Sequence, residues 1–355
     1  MLASDASPDP IAAPLLAWYD AHARSLPWRS PPGTAAPDPY RIWLSEVMLQ
    51  QTTTAHAAPF FVRFVDRWPR VEALAAADAG EVMAAWAGLG YYSRARNLQA
   101  CAKVVARAGG FPRNEADLRR LPGVGDYTAA AIAAIAFGQR AVVIDANVER
   151  VVTRLYAVGE PLPAARKAIR AHAERIAPNE RPGDFAQAMM DLGASICTPR
   201  EPRCLLCPLR GRCEGFASGG PARFPVRAAK RARPQRLGQA FWIEREGMVW
   251  LVRRPPRGML GGMRALPDDG WSARCDGSGL PPADAEWIAA GSVRHAFTHF
   301  DLELRLMLSG ASDCASQAGG EWWPLTEIAA AGLPTLFARA ARLALAREPE
   351  GGSSP

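Results

Sequence analysis

The sequence is poor in lysine and contains no long apolar run. Only three of its 42 basic residues are lysine (Lys103, Lys167 and Lys230), so residues 104–166 offer no side-chain amine for Schiff-base chemistry. No apolar run approaches the roughly 20 residues that span a membrane. The N-terminus has no basic region ahead of an apolar one, which is how a signal peptide begins. We therefore expect a soluble intracellular protein without a membrane partner.

The basic charge is concentrated in the first two thirds of the chain. The net charge is +7; residues 1–236 carry 31 basic and 21 acidic side chains, whereas residues 237–355 carry 11 and 14. Such a surface suits a polyanion such as nucleic acid, although a merely soluble basic surface has the same composition. The length of 355 residues and the hydrophobic content of 49% predict at least two domains with sizeable cores.

The segment 41–52 carries the first candidate for catalysis. It contains no Gly or Pro and is apolar around most of its circumference, which predicts a buried helix. Glu46 lies inside this helix, where loss of hydration raises the pKa of a carboxyl and favours its protonated form. Glu46 is therefore either an acid that donates a proton near neutral pH or a carboxylate paired with a neighbouring arginine.

Two further segments place polar groups at predicted helix starts. Gly123, Val124 and Gly125 form a Gly-x-Gly turn ahead of a helix N-terminus, which suits a DNA phosphate but also fits an ordinary helix–helix turn. Asp145 ends an apolar run where a helix begins, a position typical of an N-cap. Asp145 is thus either only a cap or a fixed negative charge at the edge of a cavity.

Four of the seven cysteines lie within seventeen residues. Cys197, Cys204, Cys207 and Cys213 have the spacing C-x6-C-x2-C-x5-C. Disulfides are disfavoured inside cells, so this spacing predicts metal ligation by thiolates. Structural zinc usually pairs two C-x2-C knuckles or one knuckle with histidines, and no His lies between 173 and 294. The spacing therefore favours an iron–sulfur cluster over zinc.

The chain changes character near residue 236. Residues 11–215 read as helices joined by short turns. Residues 221–236 contain six basic and no acidic side chains, which predicts an exposed linker, either a tether or a basic arm on DNA. Residues beyond 237 predict a β-hairpin, a strand over 300–308 and a helix over 335–347. The expected fold class is a mostly α-helical domain followed by a small α+β domain.

Several motifs together resemble the MutY family of adenine DNA glycosylases, which belongs to the endonuclease III-like helix–hairpin–helix superfamily. They are WLSEVMLQQT (43–52), GLGYYSRARNL (88–98), LPGVGDYTA (121–129), IDANVERV (144–151), FAQAMMDLGA (185–194) and the four cysteines. Beyond the linker, RPPRGMLGGMRALP (254–267) and RHAFTHF (294–300) are similar to the family's C-terminal MutT-like domain. The resemblance covers nearly the whole chain apart from its ends.

The resemblance implies a domain organisation and a function. The expected helical catalytic region covers residues 1–220, with a six-helix barrel over about 31–135 and a cluster domain from 1–30 and 136–220. A Nudix-like lesion-recognition domain is expected over 237–348. The implied function is hydrolytic removal of adenine mispaired with 8-oxoguanine or G in double-stranded DNA, in base excision repair. The family further implies a [4Fe–4S] cluster and a monomer associated with the nucleoid in the bacterial cytoplasm.

The resemblance also assigns roles to individual residues. Hydrolysis of an N-glycosidic bond needs an acid for the leaving base and a negative charge near the oxocarbenium-like sugar. Glu46 would protonate adenine and then activate water, while Asp145 would stabilise the sugar cation. The adenine must first be flipped out of the stack. The remaining expected site residues are Tyr127, Trp28, Arg29 and Gln187 around the adenine, Gln51 and Tyr91 in the vacated stack, and Gly123, Val124 and Gly125 on the DNA.

Two departures from related families refine this expectation. Endonuclease III-like lyases carry a lysine where this chain has Tyr127, so we expect a monofunctional glycosylase. MutT relatives that hydrolyse nucleotides carry a glutamate-rich metal-binding box, and residues 255–293 contain no such run.

The family reads 8-oxoguanine through Phe-Ser-His, which here is Phe297-Thr298-His299. Threonine keeps the hydroxyl and adds a methyl group, although the trio would also suit an ordinary strand start.

Three other functions compete with adenine excision. A mismatch thymine or uracil glycosylase on the same scaffold would not require the C-terminal domain. A non-catalytic binder of damaged DNA would not require Glu46 and Asp145. A Nudix-type hydrolase with a helical DNA-binding domain would require the missing glutamate box.

Overall fold

The computed structural model describes residues 10–228, 232–255, 259–297, 299–309 and 319–346. The chain divides into two compact units, residues 1–229 and 230–355. The first is helical and the second contains a β-sheet, which confirms the expected fold class. Within the described ranges, no helix combines the length and the apolar character needed to cross a bilayer.

The first unit is built from twelve α-helices within the described residues. They are α1 (Ala12–His22), α2 (Pro39–Leu49), α3 (Thr54–Arg67), α4 (Val71–Ala76), α5 (Ala79–Trp86), α6 (Tyr92–Ala108), α7 (Glu115–Leu118), α8 (Asp126–Phe137), α9 (Ala146–Leu155), α10 (Arg166–Ile176), α11 (Pro182–Ser195) and α12 (Glu214–Ala217). One hydrophobic core gathers side chains from α2 to α8. A second core gathers side chains from α1, α9, α10 and α11.

Helices α8 and α11 approach each other closely because small residues line their contact. Every side chain of α8 from Thr128 to Ala136 is buried, and most are alanine. A Cβ atom added to Gly183 of α11 would lie 2.7 Å from the Ala134 carbonyl oxygen and 2.8 Å from the Ile135 Cα. Any side chain at this position would push the helices apart, so the glycine brings the first turns of α11 against α8.

Helix α2 is shorter than the sequence predicted. It begins with Pro39 after the N-cap Asp38, whose carboxylate accepts from the Tyr40 amide at 2.8 Å. The predicted helix over 41–52 is wrong at its end, because α2 stops at Leu49. Gln51 follows in the left-handed region with φ of 57°. Thr53 then caps α3, which leaves no room for another helical turn.

The predicted linker also differs from the structure at both ends. The Leu162 amide donates to the Val226 carbonyl at 2.9 Å, and Arg154 Nε donates to the Phe224 carbonyl at 3.0 Å. The start of the predicted linker is therefore packed on the helical unit. At the other end, the first strand of the second unit already begins at Gln235.

The described residues of the second unit form a mixed sheet and one α-helix. Its elements are β1 (Gln235–Arg245), β2 (Met248–Arg253), β3 (Arg264–Ala265), β4 (Ile288–Ala296), β5 (Asp301–Ser309), β6 (Gly320–Pro324) and α13 (Thr335–Leu345). The strand order is β3-β2-β1-β5-β4, with β6 also paired to β2. Strands β1 and β5 are parallel, and the other pairs are antiparallel. Alternate leucines of β5 (Leu302, Leu304 and Leu306) are buried in the core that α13 covers.

Candidate active site

A cavity of about 690 Å³ opens within the helical unit, between the two cores. Helices α2, α8, α9 and α11 and the segment before α2 contribute to its wall. Seven of the side chains predicted from the sequence line it: Trp28, Arg29, Glu46, Gln51, Tyr127, Asp145 and Gln187. The fold therefore brings together residues that lie up to 159 positions apart in the chain.

Glu46 is the buried acid of this cavity. Its side chain projects from α2 and is only 5% exposed, and no described group donates to or accepts from its Oε2 atom. Burial raises the pKa of Glu46 to about 7, with a smaller upward contribution from Asp145, while Tyr127 and Arg29 lower it. A carboxyl with this pKa is half protonated at neutral pH, so it can give a proton and later take one.

Tyr127 lies beside Glu46, in the first turn of α8. Tyr127 lowers the pKa of the Glu46 carboxyl, and its own Oη atom donates to Met190 Sδ at 3.4 Å. Burial, together with the nearby charges of Glu46 and Asp145, holds the pKa of Tyr127 well above its usual value. Tyr127 therefore remains a neutral hydrogen-bonding group at physiological pH.

Asp145 has a different environment from Glu46. It is the N-cap of α9, as the sequence predicted, and its Oδ1 accepts from the Val148 amide at 2.7 Å. Its Oδ2 accepts from Asn147 Nδ2 at 2.8 Å. Both oxygens thus have donors, and the helix N-terminus adds a favourable partial positive charge. This arrangement holds a carboxylate at a fixed place on the cavity wall.

A buried carboxylate that was not predicted from the sequence shapes another part of the cavity by pairing with Arg24 and the predicted Arg29. Asp191 on α11 is 1% exposed and accepts from Arg29 through both oxygens, at 2.6 and 3.0 Å. Arg24 donates to the same carboxylate at 2.5 Å. One carboxylate therefore orients two guanidinium groups on the wall. The sequence feature that could have indicated this ion pair is Asp191 itself, an acidic residue within the otherwise largely apolar segment 185–194.

Trp28 and Gln187 complete the wall. Trp28 packs edge-on against Phe61, with ring centroids 5.3 Å apart. Gln187 is 5% exposed, and its Nε2 donates to the Gly183 carbonyl at 3.3 Å, one turn earlier on α11. An aromatic face and a side-chain amide beside the acid suit a flat heteroaromatic base.

Two more residues that the sequence analysis missed connect Asp145 to the cysteine segment. Asn147 Oδ1 accepts from Arg150 Nη2 at 2.9 Å. Arg150 Nη2 also donates to the Gly193 carbonyl at 2.7 Å, and its Nε donates to the Cys197 carbonyl at 2.7 Å. This path could not be predicted from the sequence, because Arg150 reaches the distant segment only through the backbone carbonyls of Gly193 and Cys197.

The four cysteines of the motif line one small cavity with Arg154 and Arg210. Burial raises the pKa of Cys207 to about 11. Arg154 Nη1 lies 3.3 Å from Cys197 Sγ, and Cys213 Sγ donates to the Arg154 carbonyl at 3.3 Å. Among the described residues, no three His, Cys, Asp or Glu side chains are placed to hold a single ion. The structure gathers the four predicted cysteines around one cavity.

The predicted DNA-contacting groups outside the cavity lie on the surface or at helix starts. Tyr91 is 61% exposed and precedes α6 with a φ of 51°. Gly123 has a φ of 74°, Val124 is buried, and Gly125 is the N-cap of α8. The hairpin formed by Gly123, Val124 and Gly125 therefore leads into the N-terminus of α8, whose first backbone amides have no partner within the helix. An anion site requires such amides.

The predicted lesion-reading trio belongs to the second unit. Phe297 stacks on Phe300 with ring centroids 4.7 Å apart, and its amide donates to the Phe300 carbonyl at 2.9 Å. His299 is exposed, and Thr298 lies outside the described residues. Within residues 255–293, where the glutamate-rich box was expected to be absent, the described residues 259–293 contain no helix and a single glutamate, Glu286.

Similarity to known proteins identifies the class of protein to which this chain belongs. Residues 44–178 match the family model of the HhH-GPD superfamily of base excision DNA repair proteins, and residues 239–343 match the NUDIX domain. A solved structure of a thermostable thymine-DNA glycosylase is 32% identical with a TM-score of 0.53, over 58% of this chain and 95% of that one. The fold and the site thus define a DNA N-glycosylase of the helix–hairpin–helix class.

Full-length relatives narrow the class further. The adenine DNA glycosylase of Mus musculus is 33% identical, over 93% of this chain and 76% of its own length. That of Mycolicibacterium smegmatis is 42% identical, over 67% of this chain and 82% of its own length. The chain belongs to the adenine DNA glycosylase family.

Proposed function

We propose that this protein excises adenine mispaired with 8-oxoguanine, and with G, from duplex DNA by hydrolysis and without strand cleavage. One observation carries the proposal: Glu46 and Asp145 line the same cavity, Glu46 buried with a raised pKa and Asp145 accepting a hydrogen bond at each oxygen. Two carboxyls separated in this way supply an acid and a fixed negative charge to one glycosidic bond. We further propose that the enzyme acts as a monomer on the nucleoid DNA of a bacterium.

Protonated Glu46 gives its proton to a ring nitrogen of the flipped adenine, which makes the base a better leaving group. The C–N bond breaks, and the electron pair leaves with adenine. Glu46 is now a carboxylate and accepts a proton from water as the water attacks the sugar carbon, which restores the acid. Its pKa of about 7 suits both steps.

Asp145 stabilises the positive charge that develops on the sugar when the bond breaks. The Val148 amide and Asn147 Nδ2 donate hydrogen bonds to it and hold it in place, so little reorganisation is needed during the reaction. Tyr127 lies beside Glu46 and stays neutral because its pKa is far above 7. Neither Asp145 nor Tyr127 carries the amine that Schiff-base strand cleavage needs, which supports a monofunctional enzyme.

The cavity wall supports recognition of a base turned out of the helix. Trp28, Arg29 and Gln187 would surround the adenine, while Gln51 and Tyr91 would occupy the vacated stack. The amides of the Gly123–Gly125 hairpin would hold a phosphate. In the second unit, Phe297 and His299 would contact the 8-oxoguanine together with Thr298.

The cysteine cavity supports a [4Fe–4S] cluster held by Cys197, Cys204, Cys207 and Cys213. Such a cluster supplies a rigid cross-link for the segment 197–213 and positive charge for the thiolates. Arg154 and Arg150 tie this segment to α9. The glycosylase step requires no electron transfer.

The similarity to a thymine-DNA glycosylase supports one alternative, excision of thymine opposite G. The test uses duplexes with a single A opposite 8-oxoguanine, A opposite G, or T opposite G, with and without alkali. Alkali-dependent breaks at A that disappear in Glu46→Gln would support the proposal. Breaks at T would support the alternative, whereas tight binding without any break would indicate a non-catalytic binder.

A further inference from the structure

Arg94 is a buried arginine that the proposed chemistry does not use. It lies in the first turn of α6 and is 8% exposed. Its Nη1 atom faces the end of α2 and lies within hydrogen-bonding distance of the carbonyls of Val47 (3.1 Å), Met48 (3.1 Å) and Gln50 (2.6 Å). Carbonyls at a helix end have no amide partner within the helix. Arg94 supplies hydrogen-bond donors to these carbonyls at the end of α2, the helix that carries Glu46.

The other terminal nitrogen of Arg94 faces a different loop. Its Nη2 donates to the Leu89 carbonyl at 2.9 Å and lies 3.3 Å from the Gly90 carbonyl. The guanidinium also lies 5.4 Å from the centroid of the Tyr91 ring. A single planar group therefore joins two loops: the Gln51 loop (residues 50–53) and the Tyr91 loop (residues 88–91).

Each loop contains one residue whose backbone lies in the left-handed region. Gln51 has a φ of 57° and Tyr91 a φ of 51°, and neither is a glycine. Such conformations persist only where surrounding contacts fix them, and they cluster at functional sites. Arg94 supplies a fixed contact to each loop immediately beside its left-handed residue. One turn further along α6, Asn97 also packs under Gly123 of the hairpin.

We propose that Arg94 is a positioning residue that fixes the separation of Gln51 and Tyr91, and so determines how efficiently adenine is extruded from a stacked duplex. This inference rests on the proposed function, in which both side chains enter the DNA stack. Arginine suits the task because its two terminal nitrogens point in different directions. A lysine has one nitrogen and would serve only one of the two loops.

The test compares Arg94→Lys with Arg140→Lys. Arg140 likewise binds carbonyls at a helix end, those of Glu174 and Ala177, but it lies far from both loops in sequence and does not line the cavity. Each protein is given two duplexes with A opposite 8-oxoguanine, one with fully paired flanks and one with mismatched flanks that already unstack the adenine. Single-turnover rates are measured with enzyme in excess.

Arg94→Lys should lose about tenfold in rate on the fully paired duplex, or about 1.4 kcal/mol in the barrier. It should lose less than about threefold on the unstacked duplex, because extrusion costs least there. Arg140→Lys should match the wild type on both. The ratio of the two rates does not depend on the folded fraction of a preparation. Equal losses on both duplexes, or no loss on either, would overturn the inference.

A second readout separates this inference from the proposed function. A 2-aminopurine in the position of the adenine fluoresces more strongly when it leaves the stack. Wild-type protein should raise this fluorescence on binding, and Arg94→Lys should raise it clearly less. If the wild type excised no adenine but still showed this difference, the proposed function would fail and the role of Arg94 would stand. Equal fluorescence changes would contradict it.

Discussion

Asn147 joins Asp145 to Arg150: its Nδ2 donates to Asp145 Oδ2 at 2.8 Å, and its Oδ1 accepts from Arg150 Nη2 at 2.9 Å. Arg150 continues to the carbonyl of Cys197 at 2.7 Å. The carboxylate proposed for sugar stabilisation is therefore oriented by a chain of hydrogen bonds that ends at the first cysteine of the motif. Its position depends on the folding of a segment that begins 52 residues later in the sequence.

Removing Asn147 should impair catalysis more than binding. Asn147→Ala deletes the donor to Asp145 Oδ2, which is worth about 1–3 kcal/mol and predicts about a 10- to 100-fold lower single-turnover excision rate. Affinity for duplex DNA should be nearly unchanged. Asn114→Ala is the matched control, because Asn114 bonds Asp117 in the same way at the start of α7, outside the cavity. A rate for Asn147→Ala equal to that of the control would contradict the role.

The excision rate should depend on the protonation of Glu46. Because its pKa is about 7, the single-turnover rate should be constant well below pH 7 and fall about tenfold per unit well above it. The measurement is a pH–rate profile at saturating enzyme, with DNA binding followed at each pH. A profile without a break between pH 6 and 8 would argue against Glu46 as the acid.

The same group should lower the stability of the fold at alkaline pH. The folded pKa of about 7 exceeds the ordinary 4.5, so the folded state holds its proton more tightly and loses stability as pH rises from 4.5 to 7. Glu46→Gln should therefore gain up to about 3 kcal/mol over the wild type at pH 8, relative to their difference at pH 4. Urea denaturation at both pH values measures it; a difference that did not change with pH would show that burial of the charge is not costly.

A lysine in place of Tyr127 should introduce lyase chemistry. The wild type should give no protein–DNA adduct on borohydride treatment, because no amine lines the cavity. Tyr127→Lys places an amine beside Glu46, where burial favours its neutral, nucleophilic form. Trapped adducts should then appear on gels. Arg120→Lys, which adds a lysine on an exposed side chain, should give none, and strong adducts with the wild type would overturn the monofunctional proposal.

Iron and sulfide analysis tests the cysteine cavity. Purified protein should contain about four iron atoms and four inorganic sulfides per chain, as a [4Fe–4S] cluster requires. Cys207→Ser should lower this content and the thermal midpoint. Cys275→Ser should change neither, because Cys275 is exposed and lies in the second unit. Stoichiometric zinc in place of iron would refute the cluster assignment.

The helical class and the two carboxyls of the candidate site could be predicted because the information is local, whereas Trp28, Arg29, Tyr127 and Gln187 were predicted only from the family resemblance. The apolar circumference of α2 indicated a buried Glu46, and the end of an apolar run indicated the cap at Asp145. The arginines could not be predicted in this way. Arg94 and Arg150 act on backbone carbonyls, which every residue possesses, so the sequence contains no complementary partner to recognise.

Two errors have the same origin. The end of α2 at Leu49 depends on the left-handed turn at Gln51, which the helical pattern of residues 41–52 does not indicate, and on the carbonyl bonds from Arg94, which lies outside that segment. Residues 221–227 looked like a free tether because they are basic and rich in proline. Contacts from Arg154 and Leu162 hold their backbone on the helical unit instead. Tertiary contacts decided both boundaries.

The absence of a side chain at Gly183 has a consequence for base selection. Because α11 rests directly on the backbone of α8, the distance between Gln187 and Tyr127 is governed by two main chains rather than by adjustable side chains. Main-chain separation cannot adapt to its occupant as a flexible wall could. If the cavity receives a flipped base as proposed, the scaffold itself would therefore limit how wide that base can be.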